Sequence, residues 1–167
     1  MSVPERFRKI VGGGALYAGA VGVPGAFAFG ADVPILISIW CIGGVMIASE
    51  AGNVTTKDHF KGIATSTLSG AALFLAGSKF AASLFNLLPG PGTMAAIGVN
   101  SSLNAFFTYR FLRSVAKVYD KFDTEELIMQ NLLSLASLFS IFDIGSDVAD
   151  MMDCMKDGAQ LKDCFRE

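Results

Sequence analysis

The 167-residue chain is 52% hydrophobic and only 17% charged, with a mean hydropathy of +0.50, more apolar and less charged than a water-soluble domain usually is. Its 13 basic residues are outnumbered by 15 acidic ones, for a net charge of -2, which excludes the clustered cationic excess that nucleic acid demands. Such a length accommodates one domain with a short appendage: residues 1–122 are expected to form a helical hairpin domain and residues 123–167 a C-terminal helical extension.

The first helix is predicted from about Pro4 to about Val21, opened by Ser2 and Glu5 at capping-box spacing. Gly14, Gly19 and Gly22 lie along it as small residues that let another helix approach closely. Pro24 removes a backbone donor and its ring crowds the preceding turn, so the regular helix is expected to stop there. An irregular or re-entrant corner should follow as far as Asp32. Asp32 is expected to cap the second helix, with Pro34 inside its first turn. That helix, about Val33 to about Ala51, carries no charge from Val33 to Ser49 and comes near the roughly 20 residues that a bilayer crossing needs. It is the strongest transmembrane candidate in the chain.

Thr55 and Asp58 make a second capping box for a third helix, about Thr56 to Leu87. Lys79 inside it must snorkel toward an interface or face a wet groove. Pro89, Gly90, Pro91 and Gly92 form the second corner. A fourth helix then runs to about Lys121. On it, Asn100 and Asn104 are one turn apart on one face, placed to hydrogen-bond between helices inside a bundle. Arg110, Arg113 and Lys117 follow a single face as well. Contact with anionic lipid, a solvated surface, and pairing with acids elsewhere in the chain are all compatible with that stripe.

The fifth helix is predicted from about Glu125 to about Lys156, after a start signal at Asp123 and Glu126. It is apolar through Ile144 and acidic afterwards. Asp143, Asp147 and Asp150, with Asp157 beyond them, line one face that reads as a cation or partner site, or as a solvated surface. A short turn or helix near Gln160 to Phe165 is left open.

The basic residues gather at corresponding ends of the two hairpins: Arg6, Arg8 and Lys9, then Lys57, His59 and Lys61, then Arg110, Arg113 and Lys117. Every basic end on one side is the pattern of the positive-inside rule. Three cysteines make no disulfide framework; Cys41 reads as apolar packing, and Cys154 and Cys164 as reduced thiols or, in an oxidising compartment, a disulfide across a short polar loop. The chain has no phosphate-binding loop, no paired acid and base, no nucleophile with a partner and no calcium loop. No catalytic residues, no cofactor and no metal are therefore assigned, and an enzyme is not expected.

Between Arg8 and Phe122 one further pattern emerges. Gly22, Pro24, Gly25, Gly30, Asp32 and Pro34 make a proline-rich corner, and Pro89, Gly90, Pro91 and Gly92 a second one, followed by Asn100, Thr108, Tyr109 and Tyr119. In these features the chain resembles the bacterial domain of unknown function six-nine-seven, the YcjF-type helical domain found behind Era-like GTPase domains. The resemblance implies a helical, membrane-associated domain without known catalytic residues. The chain departs from it in lacking the GTPase domain and in the residues after Phe122, so nucleotide-coupled function does not carry over.

The expected product is an all-α protein of five to six helices, two hairpins with Pro/Gly corners plus a C-terminal amphipathic helix. Its expected role is that of a small bacterial membrane-inserting or membrane-associated protein, acting by helix packing and partner binding. The inner membrane is the expected place, whether integral or peripheral. Membrane lipid and a protein partner or second copy are the expected contacts, and nucleic acid is not. Two other roles stay open: a cytoplasmic helical bundle serving as a subunit of a larger complex, and a membrane-disrupting toxin or its immunity partner.

Overall fold

The computed structural model describes residues 3–27, 31–52, 57–74 and 92–138. A single 3-10 turn, Glu5–Phe7, leads into α1 (Arg8–Phe27), followed by α2 (Val33–Glu50), α3 (Lys57–Phe74), α4 (Gly92–Lys121) and α5 (Glu125–Leu138). The fold is all-α, and no strand occurs among the described residues.

The 30-residue α4 is the axis of the bundle. Its buried positions, among them Leu103, Phe107, Phe111, Leu112, Val115 and Ala116, run more than halfway round the helix, the signature of an element enclosed by its neighbours. Its interface with α1 is the most extensive among the described helices, and it also packs on α2 and α5, while α3 packs on α5 and α2. Trp40 of α2 anchors one seam. Its indole stacks on Phe111 with ring centroids 4.8 Å apart, and its Nε1–H donates to Thr108 Oγ1 at 2.7 Å. Replacing Trp40 by Phe should leave the stack and strand the buried Thr108 hydroxyl. A loss of about 1–3 kcal/mol is expected in chemical unfolding, with Thr108→Val in the same background recovering part of it.

Helix α2 keeps Pro34 within its first turn, where a missing N–H costs nothing. It ends where Gly52 takes a φ of 79° and its N–H returns to Ser49 O at 3.0 Å, the left-handed stop that glycine adopts without strain.

The first helix corrects the expected boundary. It does not stop before Pro24 but continues to Phe27, so Pro24 is part of a helix rather than a corner. The physical reason lies outside the helix. The carbonyl that Pro24 deprives of its usual donor belongs to Ala20, an exposed residue, and the turn just before the proline is clamped to α4 by contacts described below. Neighbouring helices can support a proline in this way.

Gly92 is the first residue of α4 rather than part of a preceding corner. Pro89, Gly90 and Pro91 lie outside the described residues, as do Lys79, Cys154, Cys164 and the acidic face of Asp143, Asp147, Asp150 and Asp157.

Candidate functional site

The helices lie so that one end of the bundle collects the charges. Arg6, just before α1, donates to Asp120 Oδ1 at the last turn of α4 at 2.8 Å, and the pair is about half exposed. Arg6 and Lys9 also border the same cleft as Glu50, the final residue of α2. Lys61 of α3 shares a groove with Glu125 and Glu126, which open α5. All five helices thus begin or end with charged residues on this side.

The opposite half is almost free of charge. Residues 10–27 of α1, 62–74 of α3 and 92–109 of α4 contain no Asp, Glu, Lys, Arg or His, and between Asp32 and Glu50 there is none either. Among the described residues the exception is Asp32, and it is completely buried. Its Oδ2 accepts from the side-chain amides of Asn100 at 3.0 Å and Asn104 at 2.6 Å. The Asn100 amide also donates to Gly22 O of α1 at 2.6 Å. One carboxyl and two carboxamides therefore join the end of α1, the start of α2 and the first half of α4.

This arrangement corrects the role expected for Asp32. It stands at the cap position of α2, but with φ -82° and ψ -13° it is already in helical conformation, and its side chain makes no capping bond. A carboxyl cannot both fold back on its own helix and face α4. Two amide donors buried in an apolar bundle compete better than one exposed backbone N–H, because a buried donor left unmade costs about 1–3 kcal/mol.

The glycines form the complementary surface. A Cβ placed at Gly22 would fall 2.6 Å from Ser101 Cα and 2.8 Å from Ser101 N, and one at Gly19 would lie 3.3 Å from Ala105 Cβ. At Gly14 the nearest atom would be Leu112 Cδ1 at 2.6 Å. Gly43, which the sequence did not single out, receives the same leucine from α2, with Leu112 Cδ2 at 2.6 Å. Two glycines in the most apolar helix, Gly43 and Gly44, each disfavour helix by about 0.5–1 kcal/mol; that penalty was the available signal. Ser66 of α3, also missed, lies within hydrogen-bond reach of Gly62 O of its own helix at 2.8 Å and of Leu132 O of α5, its one hydroxyl hydrogen shared between the two carbonyls.

The basic stripe of α4 is only partly open to solvent. Arg110, Arg113 and Lys117 are all half-buried. Burial, and secondarily the charge of Arg113, holds the Lys117 ammonium below the usual lysine range. Nearby, burial and then the negative charge of Glu125 push the Tyr119 phenol up to about 12. Its neutral form is the one the fold favours. The contribution to stability is therefore complete below the ordinary phenol value of about 10 and lost as pH rises towards 12. Absorbance titration at 295 nm should show one phenol ionising only with unfolding, and Tyr119→Phe should remove that phase.

Cys41 is a free, half-buried cysteine, and among the described residues no cluster of His, Cys, Asp or Glu could hold a metal ion. No family model, curated protein or solved structure matches the chain.

Proposed function

We propose that this is a membrane-inserted or membrane-associated helical protein that acts through helix packing and partner binding, without catalysis. The observation that carries this reading is that polar side chains are enclosed while large apolar ones lie outside. Asp32, Asn100, Asn104, Thr108, Ser66 and Thr67 are buried, while Leu16, Tyr17 and Ile42 are each 62% exposed and Leu68 is 58% exposed. Water favours the opposite arrangement, since it solvates polar groups and penalises apolar area at roughly 25 cal/mol per Å². Lipid favours this one: its helices associate through small residues and buried hydrogen bonds, and their apolar side chains can stay outside.

Helix α2 supports the same reading. Its 18 residues have a mean hydropathy of 1.8, yet only 33% of them are buried, whereas the core helix of a water-soluble bundle would be enclosed on most sides. The uncharged stretches of α2 and α4 are each roughly 25 Å long at 1.5 Å per residue, close to the roughly 30 Å of a hydrocarbon core. The charged end would then lie at the cytoplasmic surface of a bacterial inner membrane, by the bias of basic residues toward that side. Membership in the YcjF-type family, which the sequence resemblance between Arg8 and Phe122 implies, is part of this proposal and would make the same assignment.

The second reading is a bundle in water whose exposed face is covered by another protein. The enclosed cluster of Trp40, Phe107, Phe111 and Leu112 favours it, because such a core would also hold the helices together in solution. Carbonate washing of membranes from cells expressing the chain separates the two. Retention in the pellet, with release only by detergent, is expected; recovery of a dispersed protein in the wash would refute insertion.

A further inference from the structure

At the charged end, the turn Glu5–Phe7 and the start of α1 stand beside the last turn of α2. Between them lies a cleft of about 610 Å³, within the range of about 300–1,000 Å³ typical of small-ligand sites. Its rim carries two cations, Arg6 and Lys9, and two carboxylates, Glu5 and Glu50; its apolar wall is made by Ile10 and Met46. Asp120 engages one Arg6 nitrogen and so fixes the guanidinium, whose five donors are not exhausted by one bond. The side chains of Glu5, Lys9 and Glu50 make no hydrogen bond or ion pair with the described residues.

The apolar wall leads toward the uncharged half. Met46 is half exposed, and Ile42, one turn deeper on the same face of α2, is more so. On α1, Gly13 and Tyr17 continue the line from Lys9 at intervals of four residues, and both are exposed. A mixed-charge notch thus sits at the mouth of an apolar track.

We propose that this cleft binds the headgroup of an ethanolamine phospholipid, its phosphate against Arg6 and Lys9, its ammonium against Glu5 and Glu50, and an acyl chain along Met46 and Ile42. The charge pattern selects among lipids. Both signs stand in one notch, as they do in a zwitterion, whereas a purely anionic headgroup would leave Glu5, Glu50 and the Arg6-bound Asp120 all facing negative charge. A choline headgroup has the right charges but no N–H, so it cannot donate the charge-assisted bonds that an ammonium makes to carboxylates. The inference rests on the membrane reading given above.

Its test uses the purified full chain in non-ionic detergent micelles, doped in turn with dioleoyl phosphatidylethanolamine, phosphatidylcholine or phosphatidylglycerol. Lipid retention is read by native mass spectrometry and thermal unfolding by circular dichroism. The ethanolamine lipid is expected to bind about tenfold more tightly than the choline lipid, a difference of one good charge-assisted bond, and to raise the melting temperature more. Glu50→Gln should erase the preference over choline, and Lys9→Gln should weaken all three lipids. Both positions are solvent-facing, so the variants keep the fold, which the lipid-free melting curve verifies. Equal retention of the three lipids, or a preference that survives Glu50→Gln, would overturn the proposal. A protein held by the carbonate pellet but showing no ethanolamine preference loses the cleft and keeps the span; one released by carbonate that still selects ethanolamine loses the span and keeps the cleft.

Discussion

Replacing Asp32 by Ala should destabilise the protein by about 4 kcal/mol, since two buried carboxamide donors would lose their acceptor and each such loss costs about 1–3 kcal/mol. Asn100 also holds Gly22 O, so the damage should spread from the start of α2 to the end of α1. The change to Asn keeps one acceptor oxygen near the position of Oδ2 and should cost about 1–2 kcal/mol. Denaturant or dodecyl-sulfate titration of the purified protein in micelles measures both. If Asp32→Ala unfolds no more easily than the parent, the cluster is a passive occupant of the interface and the tie between the three helices lies elsewhere.

The second large effect is expected at Gly22. A methyl group there meets the main chain of Ser101 at 2.6 Å and 2.8 Å, and backbone in the middle of a helix cannot step aside as a side chain can. The helices must separate, at a cost of about 2–3 kcal/mol, and separation also stretches the bond from Asn100 to Gly22 O. Gly19→Ala, whose nearest contact would be the Ala105 methyl at 3.3 Å, should cost less than about 1 kcal/mol. Gly13→Ala meets nothing within 4 Å and should stabilise α1 by about 0.5–1 kcal/mol through helix propensity alone. The same chemical change thus has opposite signs on two faces of one helix. Combining Gly22→Ala with Asn100→Ala should give less than the sum of the single effects, because both act at one contact. A uniform response at positions 13, 19 and 22 would mean that propensity, not close approach, governs α1.

Helix type and order were legible because they depend on local chemistry. The uncharged run from Val33 to Ser49 marked α2, and Pro34 marked its first turn. The start of α5 at Glu125 followed from the acids around it. What the sequence could not show is what distant residues do to one another. Asp32 carried a capping signal that is sound locally, but its partners stand 68 and 72 residues away, and they outcompete the local bond. Pro24 carried a stop signal of the same kind, and α1 passes through it. Asn100 and Asn104 were recognisable as interhelical donors by their spacing, whereas their acceptor was not, since nothing in a pattern of period 3.6 names the opposite helix. Trp40 and Thr108 are likewise separated by 68 residues, so their bond had no local trace. Charges behaved differently again. Arg6, Lys9 and Lys61 could be placed at one end from hairpin topology alone, but the carboxylates that join them there, Glu50, Asp120 and Glu125, and the half-burial of Arg110, Arg113 and Lys117 depend on the packing of the helices.

The position of α4 in the chain bears on biogenesis. The axis of the bundle begins only at Gly92, so α1 and α2 leave the ribosome long before the surface that encloses them exists. At about 5–20 residues per second several seconds separate Glu50 from Lys121. During that interval the Asp32 carboxyl has neither carboxamide to meet it, and the sides of α1 and α2 destined for α4 are bare. On the membrane reading proposed above, the nascent hairpin would wait where a hydrated carboxyl is tolerated beside apolar helices, such as the headgroup layer, and seating Asp32 would be a late event in maturation.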